Sequence, residues 1–267
     1  MFTLPRLVIG AVAAIVVIAV VAGGGWWFFI RDDAKLATSA PAIPSDLVKT
    51  PTAAATGASA SASPAGAAAQ TAQAAGVPTI DAGSSATGGS QTYTVLTDRS
   101  EAAYFADEKL ASLPLPSTAK GTTKITGTFH LTSDGTALDT SQPSSFSVDL
   151  TGLASDKSMR DRRVQSTLET STFRTATFTA ESVTGFDPSI TDGQEQTLVL
   201  QGTLDLHGVK KEITWAVKAR KQGGVITALA TVTFPFEDYS LSPPNIGGFV
   251  AVEDHITLQV QIVAQAQ

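Results

Sequence analysis

Leu198-Val199-Leu200-Gln201-Gly202-Thr203-Leu204-Asp205-Leu206-His207-Gly208-Val209-Lys210-Lys211-Glu212-Ile213-Thr214-Trp215-Ala216-Val217-Lys218-Ala219 is the stretch that decides the fold class. Leu198, Leu200, Leu204 and Leu206 share one face, with Gly202 in the same row. Ile213, Trp215, Val217 and Ala219 then alternate with Glu212, Thr214, Ala216 and Lys218. A period of two sends successive side chains to opposite faces, so each half reads as a strand with one apolar and one wet face. His207-Gly208 falls between them as a two-residue turn, and His tolerates positive φ better than most residues.

The same alternation recurs on both sides. Ile125, Gly127, Phe129 and Leu131 alternate with polar residues, as do Phe146, Val148 and Leu150, and Ile256, Leu258, Val260 and Ile262. Asp134-Gly135, Asp192-Gly193 and Gly223-Gly224 are hairpin-type dipeptides between such runs. Only Ser158 to Thr170 reads as helical. From Tyr93 onward the pattern predicts an all-β domain of about eight antiparallel strands. Such strands close into a barrel, which removes exposed edges and leaves room for side chains or one small ligand. A β-sandwich with a packed core fits the periodicity equally well.

Upstream of this domain, residues 36–91 are dominated by Ala, Ser, Thr, Gly and Pro, and Thr52 to Ala75 carries no charge and no aromatic residue. That composition predicts a disordered spacer, which at about 56 residues would span on the order of 40 Å. Residues 1–35 hold Leu7 to Ile30, 24 residues without a charge. As a helix they reach roughly 36 Å, enough to cross a bilayer. Trp26, Trp27, Phe28 and Phe29 crowd the far end, where aromatic rings favour the headgroup zone. A cleaved signal peptide, with a small-residue site near Val20-Val21-Ala22, is the rival; its apolar core runs about 7–15 residues, and the greater length here favours a retained single-pass anchor. Arg6 and the amino terminus balance Arg31 and Lys35, so charge does not orient it. The very short N-terminal tail favours an orientation with the C-terminal domain outside the cytoplasm.

The net charge of -6 argues against a nucleic-acid partner, which normally meets a basic face. The chain has no cysteine, which excludes disulfides, thiolate metal sites and a cysteine nucleophile. His130, His207 and His255 sit in no metal-ligand or nucleophile spacing; His130 and His255 fall on polar strand faces. Glu253 and Asp254, as strand neighbours, point to opposite faces and cannot share one site, and Asp254 reads as a cap or turn residue. No phosphate loop or nucleophile elbow is present, so no catalytic residue, metal or cofactor is expected.

Several segments together resemble the YceI-like family of polyisoprenoid-binding proteins. Leu204-Asp205-Leu206-His207-Gly208-Val209-Lys210 resembles its leucine-rich strand running into His-Gly-Val and a basic residue. Met159-Arg160-Asp161-Arg162-Arg163-Val164, followed by Phe173 and Ala176-Thr177-Phe178, is similar to its Arg-Asp segment and Phe-rich strand. Phe236-Glu237-Asp238-Tyr239-Ser240-Leu241 is similar to its Arg-Ser-Asp-Phe/Tyr-Gly segment, and Val252-Glu253-Asp254-His255-Ile256 to its terminal strand. Glu237 stands where the family has Arg, and Ser240 where it has Gly. The resemblance covers roughly residues 92–265 of the folded domain, residues 92–267, and implies a lipocalin-like eight-stranded antiparallel barrel around an elongated apolar cavity. It also implies an isoprenoid-type lipid or quinone as ligand, bound outside the cytoplasm.

On that reading the cavity candidates are Phe129, Phe146, Met159, Phe178, Trp215, Phe236 and Ile256, and the headgroup candidates are Arg160, Arg162 and Arg163. The bland counterparts are plain core for the first set and a solvated helix start for the second. Two functions follow: a membrane-tethered barrel that binds, sequesters or carries an isoprenoid lipid, or a non-catalytic envelope interaction or stress-related protein with a filled core.

Overall fold

The computed structural model describes residues 34–48, 89–110, 117–187, 189–246 and 250–267. Leu7 to Ile30, read above as a membrane anchor, lies outside them. Among the described residues no helix is long and apolar enough to cross a membrane.

Two short strands make the first stave of a barrel: β1 (Gln91–Val95) and β2 (Glu101–Leu110), broken by a tight turn at Thr97–Arg99. β3 (Ser117–Thr123) and β4 (Ile125–Leu131) make the second, and β5 (Ser144–Asp149) and β6 (Ala154–Ser155) the third. One helix, α1 (Ser158–Thr167), follows. The remaining staves are β7 (Thr175–Thr184), β8 (Gln196–Leu206), β9 (Val209–Gln222), β10 (Val225–Pro235) and β12 (Val250–Ala266), with the two-residue β11 (Asn245–Ile246) beside β12. Neighbours pair antiparallel around the ring, and the ring closes because β12 holds β2 along Val250–Gln261 and β1 along Ala264–Ala266. The described residues thus form one closed eight-stave barrel. The sandwich alternative does not hold.

The deciding stretch folds as its periodicity requires. Gln196–Leu206 and Val209–Gln222 pair residue for residue from Gln196↔Ala219 to Leu206↔Val209. His207 takes φ 54° and Gly208 φ 74°, the left-handed pair that a two-residue hairpin needs. Gly202 serves packing: a Cβ there would lie 2.1 Å from the Thr179 carbonyl oxygen and 2.8 Å from the Phe178 ring. It sits opposite the point where β7 shifts register between Ala180 and Ser182.

The antiparallel order sorts the connections to two ends. One end gathers the β8–β9 turn, α1, the close of β2 and β10 and the start of β3 and β12. The other gathers the start of β1 and the β4–β5, β7–β8 and β9–β10 connections. At this second end Tyr93, Phe129 and Ala264 pack as a buried cluster, with Tyr93 stacked on Phe129 (centroids 5.2 Å) and Phe129 on Phe146 (5.9 Å). Stacked rings and their apolar neighbours form a floor.

Three expectations are corrected. His130 is buried, not on a wet face: its Nδ1 lies 3.0 Å from Thr92 Oγ1, and its N–H donates to Ser144 Oγ. Asp254 is neither cap nor turn but sits inside β12, where the register with β2 shifts between Val252 and Ile256. The third concerns the spacer. Residues 34–48, which include its first part from 36, lie along the outside of the barrel, while residues 49–88 of it lie outside the described residues. Ala37 exchanges two hydrogen bonds with the Gln259 side chain, its N–H donating to Oε1 (2.8 Å) and its carbonyl accepting from Nε2 (3.0 Å). The Ala40 N–H donates to Glu195 (2.8 Å), and Thr227 Oγ1 donates to the Pro41 carbonyl (2.7 Å). Farther on, Arg99 clasps Asp46 with two hydrogen bonds, which hold that carboxyl below its ordinary pKa. Thr227 and Gln259 point away from the barrel interior, yet they are 0% and 3% exposed because this strap lies over them. Low complexity predicted disorder, but small residues also let a backbone lie flat against a wall that offers side-chain partners.

Candidate functional site

Inside the barrel a cavity of about 660 Å³ runs from the α1 end toward the aromatic floor. That lies within the range that holds a drug-sized ligand, roughly 300–1,000 Å³. A packed core would leave no such space. Inward positions of β2 explain part of the width: Ala102, Tyr104 and Ala106 alternate toward the cavity, and the two alanines leave room. Ala176 and Ala230 do the same on β7 and β10. Phe146, Phe178 and Trp215 supply the aromatic wall, with Phe178 edge-on to Trp215 (5.8 Å). Phe236 and Ile256 complete it near the α1 end.

The cavity opens where Met159 lies. This side chain lines the cavity yet is 76% exposed, so the space reaches solvent beside α1. Val164 and Leu168 turn the inner face of α1 toward the cavity. The helix carries only Met159 and Val164 as apolar residues and buries no residue fully, so it is pinned by specific contacts more than by a hydrophobic stripe. Asp161 provides one: its Oδ1 accepts from the Ser155 N–H (2.8 Å) and hydroxyl (2.6 Å), tying the first turn to β6.

Polar groups gather at this mouth. Arg160 is held between Asp156 (2.6 Å) and Glu108 (3.4 Å), with its side chain 11% exposed. Arg163 lines the mouth, is exposed, and donates to the Asn245 carbonyl. Lys157 lies on the same rim. Tyr104 stands just inside. Its ring occupies the space over Gly121, where a Cβ would sit 2.3 Å from the ring. Burial pushes its phenol up to about 12, against the opposing pull of Arg160. The arrangement presents an apolar tube with a charged, carboxylate-balanced collar.

Six of the seven apolar candidates therefore come together on one wall: Phe146, Met159, Phe178, Trp215, Phe236 and Ile256. Phe129 does not line the cavity; it lies in the floor cluster. Of the three arginines, Arg160 and Arg163 line the mouth, and Arg162 is exposed outside it. Sequence reasoning missed Tyr104, Glu108 and Lys157. The signal for Tyr104 was present in the alternation Ala102-Tyr104-Ala106-Glu108; nothing local brings Glu108 to Arg160, 52 residues away.

Several of the histidines and acidic residues singled out in the sequence have structural partners among the described residues. His207 is taken up by its turn, with Nδ1 3.3 Å from the Tyr239 carbonyl oxygen and its ring against Phe173 (4.5 Å). Glu253 pairs with Lys109 on the outside. Among the described residues no group of three or more His, Cys, Asp or Glu could hold a metal ion.

The described residues thus form an eight-stave antiparallel barrel around an apolar cavity that opens beside α1. The chain belongs to the YceI-like domain family, which matches residues 93–264. Among solved structures, the chain is similar to a polyisoprenoid-binding domain from Saccharophagus degradans implicated in plant cell wall breakdown (17% identity, 66% of this chain and 98% of that one, TM-score 0.49). It is also similar to BcnA of Burkholderia cenocepacia (14% identity, 64% and 99% covered, TM-score 0.47). A YceI protein of Campylobacter jejuni, in a mutant with a monobromobimane guest, shows 18% identity over 60% of this chain and 91% of that one, with a TM-score of 0.45. No protein of curated function matches the chain.

Proposed function

We propose that this protein is a membrane-anchored, extracytoplasmic barrel that binds and carries an isoprenoid-type lipid. The observation that carries this reading is the cavity of about 660 Å³, lined mainly by apolar side chains, floored by stacked rings and opening beside α1 where Met159 is exposed. A chain with repeated CH₂ and methyl groups gains about 0.8 kcal/mol for each CH₂ taken out of water. Membership of the YceI-like family supports an isoprenoid over a straight acyl chain. The polar end of the lipid would rest at the collar, where Arg163, Lys157 and Tyr104 can donate and Glu108 can accept. Glu237, which replaces a family arginine, is exposed and does not line the cavity, so it leaves the collar as it stands. The uncharged run Leu7 to Ile30 supports anchoring. Binding of this kind needs no covalent step. The alternative of a filled-core interaction protein lacks its main support, since the core is hollow.

The test is lipid extraction from the purified full chain followed by mass spectrometry, beside the variant Ala230→Phe. Ala230 is 8% exposed on the cavity wall, and a ring there narrows the lumen. The parent should yield an isoprenoid lipid in near-stoichiometric amount. The variant should lose at least ~90% of it while keeping its melting temperature. A parent that is reproducibly empty and takes up no added quinone would falsify the proposal.

A further inference from the structure

The strap gives the barrel a direction. Its first residue, Ala34, donates its N–H to the Thr118 carbonyl near the start of β3, next to the strand end that carries Glu108 on the cavity mouth. From there it runs past Gln259 to Thr227 and ends with Val48 beside Gly223, in the β9–β10 turn at the floor end. The N-terminal end of the strap is thus at the mouth. Only Arg31, Asp32 and Asp33 separate Ala34 from Ile30, the last residue of the uncharged run. Four steps of fully extended chain reach at most about 14 Å.

We propose that residues 34–48 seat the barrel mouth-first on the bilayer that holds its own anchor, so that the collar around Met159 is a membrane-docking surface. The inference rests on the membrane-anchored reading above. The strap replaces a roaming tether of about 56 residues by a leash of four, because residues 34–48 already lie on the barrel, from the mouth at Thr118 to Val48 beside Gly223 at the floor end. The collar suits the partner. Met159 is the most exposed large apolar side chain among the described residues, and Arg162 and Arg163 stand exposed beside it. An apolar side chain amid arginines matches the boundary between acyl chains and anionic headgroups. A lipid leaving the bilayer there would enter the cavity without crossing water.

The absence of cysteine makes the test clean. The full chain is reconstituted into phosphatidylcholine–phosphatidylglycerol vesicles as either Ser158→Cys, at the exposed start of α1, or Ser133→Cys, in the exposed β4–β5 connection at the floor end. Each is labelled with a fluorophore and quenched by headgroup-spin-labelled lipid. The two ends of a barrel this size lie on the order of 30 Å apart. Quenching at position 158 should exceed that at 133 at least ~3-fold. Ala40→Asp alters no barrel residue but sets a carboxylate against Glu195 where Ala40 is 4% exposed, and so lifts the strap. In that background the difference should vanish. Equal quenching in the parent, or a difference that survives Ala40→Asp in protein shown by exchange to have lost its strap, overturns the proposal. Lipid extraction from the same samples separates the two readings: a loaded barrel with equal quenching refutes the orientation alone. A chain that fails to float with the vesicles refutes the anchor and the orientation together.

Discussion

At the level of single residues, Ser240 shows how a departure from a family pattern is tolerated. It follows the turn Phe236–Tyr239 with φ 56° and ψ 30°, a left-handed conformation that glycine adopts freely and serine does not. Its side chain is exposed, so nothing is gained to offset the strain. Ser240→Gly should therefore raise stability by about 1 kcal/mol, read as a higher urea midpoint at unchanged slope. The tyrosines carry a second residue-level prediction. Burial raises all three phenols, Tyr104 and Tyr239 to about 12. Each folded value lies above the unfolded one near 10, so the folded state keeps protons that the unfolded chain gives up. Stability is then whole below about pH 10 and falls as the pH rises through 12. Absorbance titration at 295 nm should show the native phenols ionising later than those of the urea-unfolded chain; coincident curves would count against the burial.

Among the elements, α1 is the least secured part of the mouth. It has no fully buried residue, and its hold on the barrel runs through Val164, Leu168, Arg160 and the Asp161–Ser155 pair. Elements held by few buried contacts open first. Asp161→Ala removes two hydrogen bonds, each worth about 1 kcal/mol. Amide exchange over residues 158–167 should accelerate roughly tenfold or more, while β8–β9 exchange stays unchanged. Uniform acceleration across the barrel would mean that α1 is integral to the fold rather than a hinged cover. Lipid entry beside Met159 would draw on this local looseness.

For the whole molecule, closure is the decisive event. Seven of the eight seams join strands near in sequence or long pairs such as β8–β9. The seam between β12 and the first stave joins the two ends of the domain, with Tyr93↔Ala266 and Val95↔Ala264 in register. Ala264 is 0% exposed and Tyr93 1%, so the seam also closes the floor. Deleting Ala264–Gln267 should destabilise the barrel by on the order of 3 kcal/mol and open the floor. The expected readout is a lower urea midpoint with binding of a hydrophobic dye to the native state. A truncation with the parent's midpoint would show that closure is dispensable.

Much of this was legible in the residues. Alternation in Leu198–Ala219 dictated a hairpin, and His207-Gly208 its turn, because a period of two and a left-handed dipeptide are local properties. The helical reading of Ser158–Thr170 matches α1 over Ser158–Thr167 for the same reason. Alternation alone sets Phe146, Phe178, Trp215 and Ile256 on the inward rows of β5, β7, β9 and β12, and so on one surface. What periodicity could not decide was how that surface closes. Phe129 has the same alternation as Phe146 but lies in the floor, because its place depends on Tyr93, its partner on β1, and on Ala264 from the far end of the domain. Whether the interior is solid or hollow depends on how Ala102, Ala106, Ala176 and Ala230 from separate staves face one another. The strap escaped composition altogether, since its stability resides in Gln259, Thr227, Glu195 and Arg99, all distant in the chain. Local chemistry set the strands, turns and faces; only the closed ring, which brings remote residues within ångströms, decided the cavity, its floor and the direction of its mouth.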